Sequence, residues 1–107
     1  MPMIHIEYDD AKVEDAEIKS LADAVQKIVS EATRIEDVFV YANSARIKVK
    51  IAPIEIFVRM STNKITDREK LFAEIKRQLI EWKSVLGFPH PLNLTLIPMD
   101  WQFETGI

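Results

Sequence analysis

The residue with the most chemistry to offer stands second in the sequence, in Met1-Pro2-Met3-Ile4-His5. Initiator methionine is normally removed when the following residue is small, and proline qualifies. Removal leaves a secondary amine, the one such group a protein backbone can supply. Protonated, that amine is useless as a base. Burial in an apolar pocket and neighbouring cations both disfavour the charged form and bring its pKa towards neutrality. A base poised there can take a proton from the carbon next to a carbonyl and return it elsewhere, which is keto–enol tautomerisation, and once protonated the same group serves as the acid. Cations beside it would stabilise the enolate and grip a substrate carboxylate. The alternative is that Pro2 is simply tolerated at the first position of a strand.

The cations available are Arg59 and the cluster Arg46, Lys48 and Lys50. Arg59 falls on a strand pattern with Glu55 and Phe57 on its face, so it either holds a carboxylate beside Pro2 or pairs with Glu55 or Glu7. Arg46, Lys48 and Lys50 alternate with Ile47, Val49 and Ile51, the pattern of an edge strand whose basic side discourages sheet-to-sheet association. Tyr8 shares the Pro2 face of the first strand, either as a hydrogen-bond donor to substrate or as a packed tyrosine. His5 and His90 have no second ligand at metal spacing, although His5 and Glu7 share a strand face, so a metal site is not expected. The only glycines are Gly87 and Gly106, which leaves no phosphate loop and no nucleophile elbow. No cofactor is expected.

These residues need elements to position them. Met3 to Tyr8 alternates around Ile4 and Ile6 and reads as a strand. Ile18, Leu21, Ala22, Val25, Ile28, Val29 and Ala32 follow helical spacing, predicting an amphipathic helix of about 18 residues. Val38–Ala42 reads as a second strand and Arg46–Ile51 as a short exposed strand or hairpin arm. Ile54–Met60 reads as the third main strand. Thr66-Asp67-Arg68-Glu69 has the layout of a capping box, with Thr66 as N-cap. Leu71, Phe72, Ile75, Leu79, Trp82 and Leu86 supply the stripe of a second helix, which Gly87 and Pro89 end. Leu92 to Met99 is the last strand, and Asp100 to Ile107 is a tail. The order β-α-β-β-α-β predicts an α+β domain of two tandem β-α-β units: one four-stranded mixed sheet with both helices on one face. The other face would carry a mixture such as Val38, Val40, Phe57, Thr95 and Ile97, and a partly apolar open face usually gains a partner.

The 107 residues suffice for a single domain, 1–107, with 48% apolar and 29% charged residues. Net charge is −3, from 14 basic and 17 acidic residues, without the basic surplus that nucleic-acid binding needs. No apolar run approaches the roughly 20 residues of a membrane span. The start lacks a signal-peptide layout, so a cytoplasmic protein is expected. There is no cysteine, hence no disulfide or thiolate site.

Met1-Pro2 running at once into a strand, within tandem β-α-β units, resembles the opening of the tautomerase superfamily. The strand–loop–helix stretch Val58-Arg59-Met60 to Thr66-Asp67-Arg68-Glu69-Lys70 is similar to the junction of that family's second unit. Length and the ending Ile97-Pro98 resemble a group of small bacterial tautomerase-like proteins with no established activity. The resemblance implies a homo-oligomer, most simply a trimer with sites between subunits. It also implies proton transfer on a small keto or enol acid, with Pro2 as base and Arg59 or Arg46 on the substrate carboxylate. A neighbouring subunit's Arg46 or Lys48 would line the pocket, and Trp101 and Phe103 would wall it if they do not serve as interface packing. The family's junction loop is often glycine-rich, whereas Ser61-Thr62-Asn63-Lys64 has no glycine. Two other readings remain: a tautomerase fold without catalysis, serving as an oligomeric binding protein, and a ferredoxin-like small-molecule-binding module with the same element order. An RNA-binding module is disfavoured, because strands one and three lack an aromatic-plus-basic stacking pattern.

Overall fold

A computed structural model describes residues 2–107, and the fate of Met1 lies outside them. The elements follow the order β1 (Met3–Tyr8), α1 (Asp15–Thr33), β2 (Phe39–Asn43), β3 (Ile54–Ser61), α2 (Arg68–Leu86) and β4 (Asn93–Met99), with a 3₁₀ turn at Thr62–Lys64 before α2. The sheet order is β2-β1-β3-β4. β1 is parallel to β2 and antiparallel to β3, and β3 is parallel to β4. Each β-α-β unit therefore keeps its own two strands adjacent, and the units meet along the central β1–β3 pair. Central first and third strands, antiparallel to each other, do not by themselves exclude a ferredoxin-like sheet. The parallel outer pairs do, because a ferredoxin-like sheet is antiparallel throughout.

Alternation along the strands sorts the side chains. Ile4, Ile6, Ile54, Ile56 and Val58 are fully buried on the helix side, packed with Leu21, Val25 and Val29 of α1 and Ile75 and Leu79 of α2. Burying each such aliphatic side chain contributes about 1.5–3 kcal/mol. Met3, His5, Glu7, Glu55, Phe57 and Arg59 take the opposite, open face. Val38 and Val40, expected on that open face, lie on the helix side: Val38 is buried just ahead of β2 and Val40 packs against the core. The register pairs Met3 with Phe39 and His5 with Tyr41, so Phe39 and Tyr41 take the open positions instead.

Two further expectations are corrected. Residues 46–51 form no strand, because no neighbouring strand lies alongside to accept their ladder bonds. Ile47 and Val49 are 78% and 99% exposed, so the alternation there does not report burial. The N-cap of α2 is Asp67, not Thr66: the Asp67 carboxylate accepts from the Lys70 amide at 3.1 Å, which shifts the helix start by one residue. Gly87, in the left-handed region at φ 71°, ends α2 as read from the sequence.

Candidate functional site

Because β1 and β3 are antiparallel, the start of β1 lies beside the end of β3, and Met3 pairs with Arg59. Pro2, one residue earlier, is fully buried. By alternation it belongs with Ile4 and Ile6 on the helix side. Its carbonyl accepts from the Phe39 amide at 3.3 Å, so the ladder to β2 begins at Pro2 itself. While bonded to Met1, a proline has no N–H to add to that ladder; as a free secondary amine it would carry one N–H and a lone pair. The burial is of the kind that disfavours an ammonium.

Arg59 is half-buried on the open face. Its Nη1 lies 3.1 Å from His5 Nδ1, and its guanidinium carbon sits 5.5 Å from the Phe57 ring centre. Since arginine can only donate, His5 Nδ1 is the acceptor in this contact. The His5 ring stacks on Tyr41, with centroids 5.4 Å apart and planes 22° apart. The ion pair with Glu55 or Glu7 considered for Arg59 does not form; Glu55 instead accepts from Asn93 at 2.9 Å. Ser61 follows Arg59 on the same face. Its Oγ accepts from the Trp101 indole at 2.7 Å, and Phe103 meets the Trp101 ring edge-on at 6.2 Å. The same end of the sheet thus carries Pro2 on its helix side and Arg59, His5 and Ser61, with Trp101 bonded to Ser61, on its open side, Phe103 lying outside them and 46% exposed.

The other expected residues lie at the far end. Tyr8 ends β1, roughly 20 Å from Pro2 at the rise of a strand. Its hydroxyl donates to Asp15 at 3.0 Å, and that bond raises its pKa. Lys48 bonds Asp10 and lies 3.5 Å from Asp9, which holds the lysine charged and lowers the Asp10 carboxyl. Arg46 is exposed in the same 44–53 segment. Within one chain, then, Arg59 and Trp101 share the Pro2 end of the sheet, while Tyr8, Arg46 and Lys48 do not. His5 and Ser61 carry no sequence signal that marks them as partners of Arg59 and Trp101. Their link to Arg59 and Trp101 depends on strand register, which spacing along one chain does not carry. No cluster of three or more potential metal ligands exists among the described residues, and none of their helices is long and apolar enough to cross a membrane.

The fold is tautomerase-like: tandem β-α-β units on a mixed four-stranded sheet with two helices. Among solved structures, malonate semialdehyde decarboxylase matches with a TM-score of 0.69 at 16% identity, over 98% of this chain and 92% of that one. 5-Carboxymethyl-2-hydroxymuconate delta-isomerase matches at 0.67 and 10% identity, over 100% and 88%. A fused 4-OT wild-type asymmetric trimer matches at 0.63 and 13%, over 91% and 85%. These are tautomerase-superfamily proteins, and at such identities the likeness is one of fold. No protein-family model and no curated protein sequence matches the chain.

Proposed function

We propose that this protein is a cofactor-independent tautomerase or isomerase that moves a proton on a small keto or enol acid, with Pro2 as the general base. The observation that carries the reading is the fully buried proline at the head of a central strand, one residue from the position paired with Arg59. Loss of Met1 exposes a secondary amine whose surroundings oppose protonation. The guanidinium of Arg59 then supplies the charge for a substrate carboxylate and for the developing enolate. Trp101, anchored on Ser61, walls the same end of the sheet, with Phe103 beyond it. The open face carries half-exposed Phe39 and Tyr41, at 45% and 48%, and is covered by further copies of the chain. A trimer is the natural assembly, since the fused 4-OT relative in fold is a trimer. In such an assembly Arg46 or Lys48 of a neighbour reaches the pocket that its own Pro2 cannot offer it.

The test pairs intact mass with turnover. The isolated protein should lack Met1, should ketonise an enolised 2-keto acid such as phenylenolpyruvate, and should lose that activity on Pro2→Ala. A processed, folded sample with no turnover on any such acid overturns the enzymatic reading. It would support the second one, a non-catalytic oligomer. What favours that second reading is the same burial of Pro2: within a single subunit, a residue so enclosed gives substrate no approach.

A further inference from the structure

No carboxylate among the described residues forms an ion pair with Arg59. Glu7 and Glu55 share its sheet face, yet Glu55 is taken by the Asn93 amide. What holds the guanidinium is a set of rings. Tyr41, His5 and Phe57 lie on one rung across β2, β1 and β3, and Arg59, two residues past Phe57, stands diagonally across from His5. Its Nη1 lies 3.1 Å from His5 Nδ1, and its guanidinium carbon sits 5.5 Å from the Phe57 ring centre. His5 is braced in turn by its stack on Tyr41.

A carboxylate in the place of His5 would fix the guanidinium and cancel its charge at the same time. An imidazole accepting at Nδ1 fixes it without bringing a negative charge. Arginine is long and rich in rotamers, and a ligand that meets it loose must supply the ordering from its own binding energy. A hydrogen bond on Nη1 and a ring against the guanidinium remove that freedom beforehand. The positive charge and the Nε–Nη2 edge stay available to an anion.

We propose that His5 is a positioning residue, which orders Arg59 before the ligand arrives so that the free edge of the guanidinium receives a carboxylate in bidentate fashion. This rests on the reading of Arg59 as the carboxylate grip of a keto- or enol-acid site, and not on the chemistry of Pro2. His5 touches no reacting atom; it acts through Arg59 alone.

Phenylacetate, a carboxylate with no keto group, separates the grip from turnover, and an NMR titration of the full-length protein gives its Kd. His5→Phe keeps a ring against Tyr41 and loses the acceptor. Ordering one such side chain corresponds to roughly 2- to 12-fold in affinity, so His5→Phe should weaken binding by that factor. In an Arg59→Met chain the same substitution should change nothing further. His5→Asn, whose amide oxygen can stand in for Nδ1, should bind as the native protein does. Its isostere His5→Asp should bind more weakly than His5→Phe, because it pairs with Arg59 and cancels its charge. Equal affinity of the native and His5→Phe proteins overturns the proposal. So does the same loss with and without Arg59, which marks a general structural effect, and so does a native protein that does not bind phenylacetate. Should His5→Phe fail to fold, the Asn and Asp variants decide, and equal affinity of those two overturns it. If the expected binding pattern holds while the chain freed of Met1 turns over no enol acid, the tautomerase reading fails and the positioning of Arg59 stands.

Discussion

Replacing Arg59 by Met removes a guanidinium while keeping an unbranched side chain over the Phe57 ring. The guanidinium has five N–H donors. One of them, on Nη1, is committed to His5 at 3.1 Å, which leaves the Nε–Nη2 edge for a bidentate carboxylate. Hydrogen bonds to a charged group contribute about 1.5–3 kcal/mol. At 1.36 kcal/mol per factor of ten, Arg59→Met should lower kcat/KM for phenylenolpyruvate by roughly 10- to 150-fold. Most of this should appear in KM if the grip serves substrate and transition state alike, and in kcat if it serves the enolate. The lost His5 bond and the lost cation–π contact together destabilise the fold by about 1–2 kcal/mol, and a urea melt distinguishes that from a catalytic effect. Arg59→Lys keeps the charge without the fork and should fall between the two. If kcat/KM drops less than about threefold while Pro2→Ala is inactive, Arg59 does not hold the substrate, and the cation must come from elsewhere.

Arg34 ends α1 in the left-handed region at φ 59°, so Arg34→Gly should raise stability by about 0.4–1 kcal/mol in urea unfolding; no gain would mean that the backbone relaxes on substitution. Gly87→Ala should cost a similar amount for the opposite reason, its φ being 71° with open space around the missing Cβ. Glu74 is held down to about 2 by its bonds to Arg77 and Gln78. A depressed carboxylate contributes stability that is fully present above its ordinary value near 4.5 and is lost as pH falls towards 2. Glu74→Gln should accordingly flatten the acid limb of stability against pH below about 4.5, and an unchanged limb would place that loss on other carboxylates. Ser61→Ala removes the acceptor of the Trp101 indole and should cost about 0.5–1.5 kcal/mol with a red-shifted Trp101 emission.

The elements were legible in the sequence because they rest on local signals. Ile4 and Ile6 mark β1 by alternation, and the Leu71–Leu86 stripe with Gly87 marks α2. The misreadings arise where the outcome depends on a partner strand. Arg46–Ile51 alternates as cleanly as β1, yet nothing lies alongside it, and Lys48 turns instead to Asp9 and Asp10. Val38 and Val40 took the helix side because the parallel register with β1 sets the face, and register is a property of two segments. The same limit governs the site. Pro2 and Arg59 could be singled out by residue type, whereas the bond from Arg59 to His5 and that from Trp101 to Ser61 join residues 54 and 40 positions apart.

The placement of the cations ties the proposed activity to the proposed assembly in a way that can be decided. Arg59 shares the Pro2 end of its own sheet, while Arg46 and Lys48 lie at the opposite end, across roughly the length of β1. If Arg59 alone supplies the charge, dilution through the dissociation of the proposed oligomer should leave specific activity per folded chain nearly constant, provided the site opens in the free subunit. If a neighbour's Arg46 or Lys48 completes the pocket, specific activity should fall in step with the oligomer. An inactive Pro2→Ala chain mixed with an inactive Arg46→Ala, Lys48→Ala chain should then recover part of the activity, because some sites combine an intact Pro2 with an intact pair of cations. Recovery without subunit exchange would contradict the shared site, and so would exchange without recovery.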